Sequence, residues 1–225
     1  MSELFIPKPW PSRPLLGGLI ATIAVLAYWT GPGLRSTEAQ SHPQEAELFQ
    51  RLHSQKTTDG ARIQLLQLAK SEPSIKRGLA VQLPLLIEAG PNSCPQNEII
   101  DLEKRWHSCP WFNAVELAGN LKIAEAAPAL TRWISWRSSS IIVGLSSEAR
   151  LDFLPAAKAL AQIGDAAIAA VQDVLNHGNS DERAKAVRVL CIVHSPEAKA
   201  ALRDDLEHER DPDLQAMIKR ELAQK

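Results

Sequence analysis

Residues 156–193 read AAKALAQIGDAAIAAVQDVLNHGNSDERAKAVRVLCIV. Within and just beyond this stretch Ala184, Val187, Leu190, Cys191 and His194 step by three and four, the spacing of one helical face. The same stepping continues downstream in Ala198, Leu202 and Leu206, and again in Leu214, Met217, Ile218 and Leu222. Helix starts are marked chemically. Ser195-Pro196-Glu197 supplies an N-cap, a first-turn proline and an acid at the positive end of the helix dipole, and Asp211-Pro212-Asp213 does the same. Ser180-Asp181-Glu182 is a further acidic start. After residue 43 no run alternates apolar and polar residues over a strand's length, so the chain reads as all-α.

Three stretches share a plan: IAEAAPALTRWI from Ile123, IGDAAIAAVQDVL from Ile163 and VHSPEAKAALRDDL from Val193. Each follows a helix, turns tightly and opens an Ala-rich helix that ends in bulky apolar residues. The last two lie about 30 residues apart; the first is set further back by a loop-like insertion, SSSIIVGLSS at residues 138–147. A fixed period of this size, one helix pair per unit, predicts an α-solenoid, in which neighbouring pairs bury stripes that one pair cannot bury alone.

Residues 156–193 resemble the short HEAT-like repeats also found in phycobilisome lyases. The correspondence rests on Ile163-Gly164-Asp165, Asp181 and the pair Val187-Arg188, the last a few residues later than in the family pattern. The resemblance covers about residues 113–221 and implies a fold, with no particular function. Upstream the repeat fades. Residues 42–52, 60–70 and 75–89 read as helices, with Pro84 kinking or ending the last; they are degenerate repeats or an N-terminal cap.

Residues 15–29, LLGGLIATIAVLAYW, carry no charge, and Trp10 before them and Tyr28-Trp29 at their end suit an interfacial belt. Lys8 and Arg13 precede the run, so the positive-inside rule places the N-terminus in the cytoplasm and the rest outside. An uncleaved signal anchor is preferred here to a cleaved signal peptide or a buried helix. The expected organisation is a cytoplasmic segment (1–13), a transmembrane signal anchor (14–34), a linker (35–43), an N-terminal helical part (44–110) and a HEAT-like domain (111–225). The expected location is a single-pass membrane protein with its helical domain on the extracytoplasmic (periplasmic) face.

Composition narrows the function. Lys and Arg total 25 and Asp and Glu 26, for a net charge of −1, which excludes a general nucleic-acid binder. Three cysteines are too few for a disulfide-built scaffold or a four-cysteine zinc site. Cys94 and Cys109 each precede a proline and bracket a predicted helix at residues 95–107. Outside the cytoplasm a disulfide is favoured; two free thiols, or a metal set of Cys94, His107 and Cys109, are the alternatives. Cys191 lies on an apolar face and reads as a small core residue.

The six histidines are scattered, without an H-E-x-x-H helix, and no Gly-rich phosphate loop occurs. Gly144-Leu145-Ser146-Ser147-Glu148 lacks the final glycine of a nucleophile elbow. No catalytic residue, cofactor or metal is expected. The acids between Asp204 and Asp213 alternate with Arg203, His208 and Arg210, as on a solvated face. Trp133 and Trp136 share a helix face beside Arg132 and Arg137, and these four are the candidate protein-binding residues; core packing of the indoles is the competing reading. The expected function is a membrane-tethered, non-enzymatic scaffold for an unidentified protein or peptide. A lyase-like enzyme or a purely structural assembly subunit are the alternatives.

Overall fold

The structure is a computed structural model, and it describes residues 43–94, 108–137 and 151–223. The expected helix at residues 95–107 (with Trp106 and His107) and the insertion at residues 138–147 lie outside the described residues.

Ten α-helices occur among the described residues: α1 (Pro43–Leu52), α2 (Thr58–Ser71), α3 (Pro73–Glu88), α4 (Pro110–Asn120), α5 (Ala127–Thr131), α6 (Pro155–Ile163), α7 (Ile168–His177), α8 (Ser180–Val193), α9 (Pro196–His208) and α10 (Pro212–Leu222). Their packing partners sort them into two rows. In one, α2 packs on α4, α4 on α6, α6 on α8 and α8 on α10. In the other, α3 packs on α5, α5 on α7 and α7 on α9. Cross-contacts between α3 and α4, α5 and α6, α7 and α8, and α9 and α10 join the rows. This is an all-α, solenoid-like stack of helix pairs. α1 packs on α2 and touches α4.

The faded repeats before residue 110 nevertheless take regular places in the stack, because place is decided by which stripe is buried. Leu65 and Ala69 of α2 and Ile75, Leu79, Leu83 and Ile87 of α3 are buried in the same core as Ala114, Leu117 and Ala118 of α4. Small residues let the row close up: Gly119 of α4 lies against Ala159 of α6. Polar contacts also cross from α2 to α4. Thr58 of α2 and Asn113 of α4, both fully buried, share a hydrogen bond in which the Asn113 amide donates to Thr58 Oγ1 at 3.1 Å. Arg62 of α2 pairs with Asp59 at 2.8 Å and reaches Glu116 of α4 at 3.3 Å.

The turns explain the helix boundaries. Asn179 and Glu182 form a reciprocal capping box at the start of α8. Ser195 accepts from the Ala198 N–H, and Asp211 accepts from the Asp213 and Leu214 N–H groups. Gly164, between α6 and the short 3-10 turn before α7, has φ +78°, a conformation L side chains avoid. Pro84 does not end α3, which runs on to Glu88.

The expected N-terminal transmembrane helix is corrected. Among the described residues no helix is long and apolar enough to cross a membrane. The longest, α3, has 16 residues and carries Lys76, Arg77 and Glu88. It spans about 24 Å, short of a hydrocarbon core of about 30 Å. The segment 14–34, on which the expectation rested, lies outside the described residues. The single-pass topology, the extracytoplasmic (periplasmic) location, the membrane as a partner and the tethered form of the scaffold are withdrawn with it.

Candidate functional site

The candidate residues gather where α3, α4 and α5 meet. α4 starts at Pro110, and Cys109 is its N-cap, its Sγ accepting the Phe112 N–H at 3.2 Å. Cys109 is disulfide-bonded to Cys94, with the Cα atoms 4.6 Å apart. The metal and free-thiol alternatives for this pair are thereby set aside. Trp111, in the first turn of α4, is 0 % exposed, and its indole N–H donates to the Ile87 carbonyl of α3 at 3.1 Å.

α5 unwinds into tight turns that deliver two more indoles. The Ile134, Trp133 and Trp136 N–H groups bond back to Thr131, Leu130 and Trp133 carbonyls, three residues behind each. Trp133 and Trp136 both meet Trp111 edge to face, with ring centroids 6.3 and 4.8 Å away and interplanar angles of 77° and 69°. That arrangement suits the aromatic quadrupole. Trp133 also lies over Gly90, whose φ of +78° and lack of a side chain leave room for the ring.

Core packing of the indoles accounts for part of the arrangement. Trp133 and Trp136 pack on the core, yet each is only half-buried, and Arg132 and Arg137 beside them are exposed. The Trp133 Nε1 atom is buried and has no acceptor among the described residues. Trp111 is the residue whose role spacing could not assign: it stands outside the Trp133–Trp136 pair in sequence and holds both rings in place.

The four histidines among the described residues have structural neighbours. His177 pairs with Asp173 at 3.0 Å, and His208 meets the Asp204 carbonyl at 3.1 Å, each at the end of its own helix. His53 packs edge-on against Phe49, and partial burial lowers its pKa. His194 ends α8 in the left-handed region and meets the buried Glu221 carboxylate of α10 at 2.5 Å.

Cys191 is half-buried rather than fully enclosed. Its thiol is pushed up to about 12, first by burial and then by the negative charge of Glu221, which it also hydrogen-bonds. A thiol so placed stays protonated and is a poor nucleophile. Among the described residues no three His, Cys, Asp or Glu side chains are placed to hold a metal ion.

At the turn into α10 the Glu209 carboxylate, 2 % exposed, receives the Arg183 guanidinium at 3.1 and 3.3 Å and the N–H groups of Arg210 and Asp211. Burial alone would raise its pKa; the Asp211 N–H, Arg183 and the Arg210 N–H outweigh that and hold it below the usual carboxylate range. Neighbouring Asp205 lacks such donors at its buried Oδ2. Burial, then the Glu209 charge, push it up to about 6 against the pull of Arg183. The acidic stretch near residues 204–213 is thus partly a structural clamp rather than wholly a solvated face.

No family model matches the chain, no curated protein matches it and no solved structure matches it. The resemblance to the HEAT-like repeats of phycobilisome lyases is therefore corrected to the coarser statement that the geometry carries: an all-helical domain built by helix-pair packing, without a membrane-spanning helix among the described residues.

Proposed function

We propose that this chain is a non-enzymatic scaffold that docks a protein or peptide segment on the turn carrying Arg132, Trp133, Trp136 and Arg137. One observation carries the reading. Two partly buried indoles are braced edge-on by a third, fully buried one, and two exposed guanidiniums flank them. Trp and Arg dominate binding hot spots because they offer large contact areas and directed donors. Bracing removes much of the ordering entropy that a free side chain loses on binding. Two guanidiniums favour a partner with carboxylates placed around an apolar anchor. The non-enzymatic part of the proposal is supported by the protonated Cys191 thiol and by histidines engaged at helix ends.

The test is selection from a displayed peptide library on the full chain, followed by titration of the enriched peptides. The expected motif places acids beside an aromatic or aliphatic residue. R132E/R137E alters exposed positions only, and should weaken binding at least about tenfold with unchanged unfolding. Binding indifferent to R132E/R137E and to W136A would remove this surface as the docking site.

A further inference from the structure

Besides the tryptophan turn, α3 leaves an apolar face uncovered. Val81 is 70 % exposed and Leu85 is 64 % exposed, the two most exposed large apolar side chains among the described residues. They are not scattered. At 100° per residue, Ser74, Arg77, Val81, Leu85 and Glu88 fall within a sector of about 80° on α3. All five are exposed. Read along the helix, this stripe presents a hydroxyl, a cation, two apolar side chains and an anion.

That order is self-complementary. Laid antiparallel on a second copy, Arg77 faces Glu88 and Val81 faces Leu85. The midpoint of the charged pair falls between positions 82 and 83, and that of the apolar pair falls at position 83. The offset of half a residue is about 0.75 Å along the axis, so one two-fold axis satisfies both pairs at once. A parallel alignment in register would instead set Arg77 on Arg77 and Glu88 on Glu88. Charge therefore selects the antiparallel pairing, and the apolar centre supplies what the flanking ion pairs do not.

We propose that the occupant of this face is a second copy of the chain, joined through the Arg77–Glu88 stripe of α3 about a two-fold axis that crosses it between Val81 and Leu85. The patch is short. One helix of 16 residues offers less than the roughly 800 Å² per partner of a standard interface, so the dimer is weak and concentration-dependent.

Sedimentation equilibrium of the full chain from about 5 to about 200 µM tests this, with expected half-dimerisation in the tens of micromolar. R77E places like charges together at both ends and should weaken association at least about tenfold; E88R should do the same. The double reversal R77E/E88R restores opposite charges and should return to within about threefold of the unmodified chain. L85E should abolish association. A chain that is monomeric throughout the range overturns the proposal. So does a double reversal as weak as the single ones. A photoreactive residue at position 85 that cross-links within its own chain to residues 15–29 would assign the face to that segment instead, and would equally overturn it.

Discussion

Trp111→Phe is the most informative single substitution. Trp111 joins the C-terminal end of α3 to α4 and supports the turn beyond α5, so it couples the first helix pairs to the later ones. Phenylalanine keeps an aromatic ring in the site but removes the N–H that the Ile87 carbonyl accepts at 3.1 Å. That loss costs about 1 kcal/mol, tempered because Ile87 O still accepts from the Gly90 N–H. The smaller ring leaves a void in a fully buried position and weakens two edge-to-face contacts, for about 1–2 kcal/mol more. The expected destabilisation is about 2–3 kcal/mol, or about 5–10 °C in Tm for a domain of this size. Trp111→Ala should cost more, about 3–5 kcal/mol. Urea unfolding followed by far-UV circular dichroism measures both. The transition should remain single, because α2 and α3 share the core of α4. Trp111→Phe within about 0.5 kcal/mol of the unmodified chain would refute the assigned role, and a separate early transition for residues 43–88 would refute the continuous stack.

Three further outcomes follow from particular contacts. Cys94→Ser opens a link between positions 15 apart and should lower stability by about 3 kcal/mol, read by denaturant unfolding beside an intact mass that shows the bond lost. Gly164→Ala should cost about 1–3 kcal/mol through backbone conformation alone, since nothing lies near an added Cβ; Gly90→Ala should cost more, because the Trp133 ring occupies that space. Asp205→Asn should stabilise the protein above about pH 6 by about 1 kcal/mol, discounted for the half-exposed site, and leave it unchanged below about pH 4. The sign follows from proton uptake. A carboxyl raised to about 6 in the folded state binds protons there more tightly than when unfolded, so its charge opposes folding increasingly as pH rises from about 4 to 6. A difference that is flat across pH would dissociate Asp205 from this effect.

Much of the stack is legible in one dimension because its turns use local chemistry. Ser195 and Asp211 cap the helices that their prolines and acids announce. Asn179 closes a box with Glu182, one residue before the acidic start at Ser180. Prolines mark Cys94 and Cys109 as element boundaries, but the sequence favoured their disulfide only through the extracytoplasmic location now withdrawn; the fold is what brings the two together. Other features depend on neighbours distant in sequence. The helices before residue 110 lack the repeat's turn motif but carry the stripe that the core buries, so they stack without resembling the later pairs. Pro84 removes one N–H from α3, and packing of Leu83, Leu86 and Ile87 on either side keeps the helix continuous. Periodicity marks Val81 and Leu85 as apolar but cannot say that their face is left uncovered. The tryptophans divide between core and surface for the same reason: spacing puts Trp133 and Trp136 together, and only the fold places Trp111 beneath them.

The central claim is that the turn bearing Arg132, Trp133, Trp136 and Arg137 is where this scaffold meets its partner. The direct measurement is photocross-linking in intact cells, with a photoreactive amino acid replacing Ser135, between the two indoles, in one chain and exposed Lys219 in another. One discrete heavier adduct is expected from position 135, absent from position 219 and lost when Trp136→Ala is added. Equal adducts from both positions, or none from position 135, would contradict docking on this turn.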